Sequence, residues 1–297
     1  MQTTAVQYKL IKKIKDERFD EELIHQYILL LNIGTRDFQV LVLDRSDSRA
    51  LLLEDYVLPN ISSHQNLVSV LVQIFDAHPF LRAGFWKDIR VSVKNHKFVQ
   101  VPSPLFVPEA ATEYLQFNAH YDEGTEVVLS AENKLAGAVT VYSIWRDLMD
   151  WLSQTYPSKA ISFTHQSAAI IDGILAYAKQ RSDNPLYIYV DRFRLHVMAC
   201  KEGQLIYYNQ FPIKQFADYV KYIMLVMNTL GMDQKESQVV LWGYIGKNSP
   251  HYHEFYKYIQ NVSFGTRGGD IAFGYIFDEV QEHHFFDLFS IHRSGNV

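Results

Sequence analysis

LYIYVDRFRLHVMACKEGQLIYYNQFP, residues 186–212, is the stretch whose reading decides the fold. It divides into three strand-like runs, Leu186–Val190, Phe193–Ala199 and Leu205–Phe211. Pro212 closes the third, and an apolar-faced helix follows from about Lys214 to Leu230. The same order of runs stands about 150 residues earlier, as Ile28–Ile33, Phe38–Leu43 and Ala50–Leu58, then Pro59, then a helix over His64–Ala77. Each copy next returns to a short apolar strand, Ile89–Val93 in the first and Val239–Trp242 in the second. Repetition at a near-constant offset marks a duplicated architecture, so the chain is expected to form two related lobes with a cleft between them.

Between the copies, Leu135–Tyr142 reads as a strand. Ile144, Leu148, Trp151 and Leu152 then recur at the three-to-four spacing of a helix's buried face, which Pro157 ends. Ala160–Thr164 reads as a short strand and His165–Lys179 as a helix. The polar cluster from Arg181 to Pro185 that follows is the natural boundary. Strands alternating with helices predict an α/β fold with a mixed sheet in each lobe, flanked by helices. The expected division is an N-terminal arm over residues 1–27, a first lobe over 28–181 and a second over 182–297.

With 297 residues, 48% of them hydrophobic and 14% aromatic, the chain has enough apolar surface for substantial cores. A net charge of -5 argues against a nucleic-acid partner. Lys9, Lys12, Lys13 and Lys15 are followed at once by Asp16, Glu17, Asp20, Glu21 and Glu22, so they read as a solvated arm. The first 26 residues mix charges freely where a secretory leader would be apolar, so a cytoplasmic location is expected. No apolar run approaches the ~20 residues of a transmembrane segment. A single cysteine, Cys200, excludes an internal disulfide and reads as a small buried hydrophobe.

The order of elements resembles the actin-like ATPase superfamily of sugar kinases, Hsp70 chaperones and actin, whose lobes share a ribonuclease H-like core. Three segments carry the resemblance. Asn32-Ile33-Gly34-Thr35-Arg36 resembles the first phosphate loop. Ile161 through Thr164-His165-Gln166-Ser167-Ala168-Ala169 to Tyr177 resembles the connecting strand and helix. Val239-Val240-Leu241-Trp242-Gly243, with Ser249-Pro250 opening the next helix, resembles the adenosine-binding turn. Within the superfamily the similarity is to a small bacterial family of unknown function, and more distantly to actin-like pilus-assembly and secretion scaffolds.

The resemblance implies ATP and Mg²⁺ as ligands, with Asn32, Gly34, Thr35, Arg36, Asp191, Arg192, Gly243 and Tyr244 around the nucleotide. The residues themselves depart from that chemistry. Asn32 is a neutral amide where a carboxylate would hold Mg²⁺ through water. Tyr189-Val190-Asp191-Arg192-Phe193-Arg194 has no glycine to let backbone N–H groups reach a phosphate, and Asp191 and Arg192 read as a tight turn with a surface ion pair. Tyr244 would meet an adenine with a phenol, and Gly34 reads as a turn residue chosen for backbone freedom.

Three altered loops predict a pseudo-ATPase: a non-catalytic binding or scaffold module with a protein partner or self-association. The alternatives are an ATPase or small-molecule kinase using the interlobe cleft, and a self-assembling protein. Gly265-Thr266-Arg267-Gly268-Gly269-Asp270 reads as a turn, and the aromatic run Phe285–Ile291 as a segment packed on its own lobe.

Overall fold

A computed structural model describes residues 8–294 apart from Gln180 and Ser182. Ser182, the expected first residue of the second lobe, lies outside the described residues, as do residues 1–7 of the expected arm and 295–297. The chain opens with β1 (Lys9–Lys15), β2 (Tyr27–Gly34), β3 (Asp37–Asp44), β4 (Arg49–Val57), α1 (His64–Ala77) and β5 (Asp88–Lys94). It continues through β6 (Phe98–Pro102), α2 (Ala111–Gln116), β7 (Glu126–Asn133), β8 (Ala138–Trp145), α3 (Arg146–Thr155), β9 (Ile161–His165) and α4 (Gln166–Ala178). The second half comprises β10 (Leu186–Val190), β11 (Arg194–Lys201), β12 (Gln204–Pro212), α5 (Phe216–Thr229), β13 (Val239–Gly243), α6 (Pro250–Tyr256) and β14 (Val262–Phe264). A last short strand β15 (Ala272–Phe273) and helix α7 (Phe286–Ser290) follow.

The repeated runs become repeated topology. One sheet has the order β1-β4-β3-β2-β5-β9 and the other β12-β11-β10-β13-β14. In both, an antiparallel meander (β4-β3-β2, β12-β11-β10) is extended by two parallel strands (β5 and β9, β13 and β14). Successive side chains of a strand face opposite ways, and every residue of β2 is buried. Leu29, Leu31 and Ile33 pack toward Leu71, Phe75 and Leu152 of α1 and α3, while Ile28 and Leu30 meet Phe277, Leu288 and Phe289. A strand covered on both faces reads as a continuous apolar run, and each fully buried large side chain contributes about 1.5–3 kcal/mol.

Three readings of the sequence are corrected. Lys9–Lys15 is a strand, not a solvated arm: β1 pairs antiparallel with β4, Ile14 enters the core, and Lys13 reaches the buried Glu54 at 2.7 Å. A third sheet, β6-β8-β7 with α2 against it, is inserted between β5 and α3. Only β8 was expected there, and Leu135 sits in the helical turn before it. The aromatic run Phe285–Ile291 does not pack on the second lobe alone: Phe285, Leu288, Phe289 and Ile291 cover the first sheet, where β15 pairs with β4, and Phe286 stays with the second.

α4 and α7 lie between the sheets and touch both. Ala169 of α4 belongs to the core of the first sheet, while Ile170 and Ile174 meet Tyr187 and Tyr189 of the second. Phe286 of α7 packs on Trp242, with ring centroids 4.7 Å apart. The helices approach so closely at Gly173 that a Cβ there would stand 2.2 Å from Ser290 Oγ. No helix among the described residues is long and apolar enough to cross a membrane.

Candidate functional site

In open α/β sheets, ligand crevices lie beyond the carboxyl ends of the parallel strands. Here Gly34 of β2, Lys94 of β5, His165 of β9, Val190 of β10 and Gly243 of β13 end their strands at the seam between the lobes. Chain direction alone therefore gathers the loops between β2 and β3, between β10 and β11, and after β13.

The floor of the seam is a buried network centred on Lys94. Its Nζ lies 2.8 Å from Asp37 Oδ2, 3.2 Å from Asp287 Oδ2 and 3.8 Å from Asp191 Oδ1. The lysine side chain is 1% exposed and the three carboxylates at most 5%. Asp287 Oδ2 also accepts from Asn32 Nδ2 and Gln166 Nε2, both at 2.8 Å, and Asp287 Oδ1 accepts from the Tyr189 hydroxyl at 2.5 Å. Gln166 donates to Asp191 Oδ2 at 2.9 Å. Burial works against the Lys94 charge, but Asp191, Asp287 and Asp37 outweigh it and hold the ammonium protonated far above its ordinary range. Burial pushes Asp37 up to about 6 despite Lys94. Asp191 is held down at about 2, because Lys94 and the Gln166 amide overcome its burial.

A second layer ties the lobes together beside this cluster. Arg192 points its guanidinium fork at Asp55, with Nη1 3.1 Å from Oδ1 and Nη2 bonded to Oδ2, and Nη1 lies 3.6 Å from Asp37. The same guanidinium stacks 4.3 Å above the Tyr244 ring. The Tyr244 hydroxyl accepts from Gln39 Nε2 at 2.6 Å, and Gln39 Oε1 accepts from Asn32 at 3.0 Å. Asp37, Gln39, Asp55 and Lys94 belong to the first lobe and Asp191, Arg192 and Tyr244 to the second, so these bonds cross the seam.

The structure brings Asn32, Gly34, Asp191, Arg192 and Tyr244 together, but in roles other than those read from sequence. Asp191 and Arg192 do not form a surface ion pair: both are turned inward, to Lys94 and to Asp55. Gly34 is required for close packing rather than backbone freedom, since a Cβ would sit 2.6 Å from Asp37 Oδ1 and 3.3 Å from the Lys94 side chain. Gly243 does need its glycine backbone, at φ +95°, and its Cβ would stand 2.0 Å from Val190 O. Thr35 and Arg36 lie on the rim, where Arg36 covers the Phe193 ring at 4.3 Å. The sequence reading missed Asp37, Gln39, Lys94 and Asp287. Asp287 carried a signal: a lone carboxylate inside the run Phe285-Phe286-Asp287-Leu288-Phe289.

Three carboxylates on the floor of the cleft invite a test for Mg²⁺. They do not fit it as they stand, because the space among them is taken by the Lys94 ammonium, which lies within ion-pair distance of all three. No group of three or more His, Cys, Asp or Glu side chains among the described residues is arranged to hold a metal. At the turn after β13, which the sequence resemblance assigned to adenosine, Val190, Tyr219, Leu241, Tyr244 and Phe255 leave about 20 Å³. Above the floor, however, a cavity of about 880 Å³ stays open, bounded by the Gly34–Asp37 and Asp191–Arg194 turns and by β6 and β12.

Comparison with known proteins agrees with this geometry at the level of fold. A family profile described as protein of unknown function, DUF3822, matches residues 16–262. None of the curated proteins compared with the chain matches it. A structure from Bacteroides thetaiotaomicron, described as a protein with actin-like ATPase fold and unknown function, is 21% identical, with a TM-score of 0.74 over 83% of this chain and 93% of that one. A chain of the PilM–PilN type IV pilus biogenesis complex is 9% identical, with a TM-score of 0.62 over 89% of this chain and 97% of that one. At these identities the likeness shows a two-lobed actin-like fold.

Proposed function

We propose that this chain, which belongs to the DUF3822 family of proteins of unknown function, is a non-catalytic binding module of the cytoplasm: an actin-like scaffold whose nucleotide site has been converted into a fixed latch. The observation that carries this reading is the Lys94 ammonium among Asp37, Asp191 and Asp287. A nucleotidase of this fold needs a mobile hydrated cation and a cleft that opens. Here a tethered cation sits among the carboxylates, and Arg192 and Tyr244 bind the lobes across the adenine position. Opening the cleft would break the Arg192–Asp55 ion pair, the Arg192–Tyr244 stack and the Gln39–Tyr244 hydrogen bond together. PilM, a protein of similar fold, is seen in complex with a partner, PilN, which supports a role in protein assembly for this chain.

Calorimetric titration with ATP and ADP in the presence of Mg²⁺ tests the proposal. We expect no binding heat at ~1 mM nucleotide, and no thermal stabilisation, where a ligand at ~100 times its dissociation constant would add about 2.7 kcal/mol. A dissociation constant in the micromolar range, or phosphate release abolished by Asp191→Asn, would overturn it.

A further inference from the structure

The open cavity above the latch has a distinctive wall. Phe98, Val99 and Gln100 of β6 line one side and Tyr208, Asn209 and Gln210 of β12 the other. Successive residues of a strand face opposite ways, so three consecutive lining residues mean that the cavity runs along each strand's edge as well as across a face. Both are edge strands: β6 ends the three-stranded sheet and β12 ends the five-stranded one. Ile213 N donates back to Phe193 O of the neighbouring loop. By the alternation of an antiparallel ladder, the main-chain groups of Tyr208 and Gln210 therefore point away from β11, toward the cavity side. The outward Gln210 N–H is met by Asn209 Oδ1 at 2.8 Å, a contact that a competing carbonyl can replace. Unpaired edges of this kind are templates for another strand.

The charge of the cavity selects the occupant. Its two carboxylates, Asp37 and Asp191, are consumed by Lys94 and Arg192 below. Two of its cations are not consumed: Arg36 and Lys214 form no ion pair with a carboxylate among the described residues, and Arg36 caps the Phe193 ring, while Arg194, half-buried, acts on Asp191 through space without pairing with it. Phe98, Phe193 and Tyr208 add apolar surface between them.

We propose that the cavity binds an extended acidic peptide segment of a partner protein, which adds as a strand to the free edge of β12, faces β6 with its other edge, and sets carboxylates against Arg36, Arg194 and Lys214. The five residues of β6 give a track of about 16 Å, the length of a short recognition strand. Main-chain pairing supplies affinity and the three cations supply selectivity for acidic sequence. This inference rests on the reading of the cleft as a binding module.

The test is selection of a displayed library of random decapeptides on the purified full-length chain, followed by fluorescence anisotropy with the selected peptides. The expected winners are rich in Asp and Glu alternating with apolar residues, and they slow hydrogen exchange at Tyr208 and Gln210. Gln210→Pro removes an outward donor without touching the ladder to β11, and it should weaken binding at least about tenfold at unchanged thermal stability. Arg36→Glu with Lys214→Glu, two solvent-facing positions, should do the same and serves if the proline variant fails to fold. Absence of any selected binder, winners without acidic residues, or binding indifferent to both variants overturns the proposal. So does competition by inorganic phosphate with the proline variant binding normally, which would make the cavity a small-anion site. None of these outcomes bears on nucleotide affinity, so the two readings fail separately.

Discussion

Replacing Lys94 by methionine gives the sharpest test of the latch. Methionine retains the apolar stem but is one atom shorter, so the substitution deletes Nζ and little else. It leaves the carboxylates of Asp37, Asp191 and Asp287, which stood 2.8, 3.8 and 3.2 Å from that atom, facing an unfilled ammonium-sized space. The loss of a cation touching all three is expected to cost about 3–5 kcal/mol at pH 8. In a chain of this size that lowers the melting temperature by roughly 6–10 °C. The deficit should shrink with acid. Without Lys94 the folded-state carboxyl pKa values rise above the unfolded value near 3.8, so the folded variant takes up protons first as pH falls, and its stability relative to wild type recovers toward pH 5. Divalent cations should act likewise. Ca²⁺ takes oxygen ligands at about 2.3–2.6 Å, a modest inward movement from the ammonium distances, so millimolar Ca²⁺ should raise the melting temperature of Lys94→Met and leave the wild type unmoved. Differential scanning fluorimetry across pH 5–8, with and without Ca²⁺, reads all three effects. A variant as stable as wild type at pH 8 that ignores both acid and Ca²⁺ would refute the assignment of Lys94 as the tethered counter-ion.

Two further outcomes follow from the same geometry. Gly243→Ala places a side chain at φ +95° and within 2.0 Å of Val190 O, so it should destabilise by at least about 2 kcal/mol in urea melts, whereas Ala at Gly269, which meets nothing within 4 Å, should be near neutral. His196, buried among Asp191, Arg194, Asp287 and Lys94, is held down at about 4, mainly by burial. The unfolded chain binds that proton near pH 6.5, so the stability His196 contributes is lost as pH falls from 6.5 to 4, by on the order of 3 kcal/mol. The measurable form is a difference in melting temperature between wild type and His196→Gln that moves against the wild type across that range.

What the sequence disclosed and what it hid have one physical cause. β2, β3 and β10 are buried on both faces, so their residues form mainly apolar runs that can be read directly, and their repetition exposed the duplication. β1 pairs along only one edge and keeps its lysines in water, so it looks like a charged arm, and β6 and β7 are likewise only part-buried. The latch was harder still. The loops around Asn32, Asp191 and Tyr244 were visible as departures from a pattern. Lys94, Asp37 and Asp287, however, lie far apart in sequence, with no spacing that links them; only the topology of the two sheets makes them neighbours. A charged residue closing an apolar strand, as Lys94 closes Ile89–Val93, is the local trace they leave.

The return of residues 271–292 to the first lobe sets a schedule for synthesis. β2 and β3 leave the ribosome early, yet the side chains that cover their second face, Phe277, Leu288 and Phe289, and the carboxylate of Asp287, emerge on the order of 10–50 s later at about 5–20 residues per second. The second lobe's sheet, by contrast, is contiguous from Leu186 to Phe264 and has all its strands before Ala272 is made. A nascent chain must therefore hold a half-covered apolar sheet in waiting. The lobe translated first is the lobe finished last, and a chain cut short before Ile271 presents to chaperones and proteases the surface that the intact protein hides.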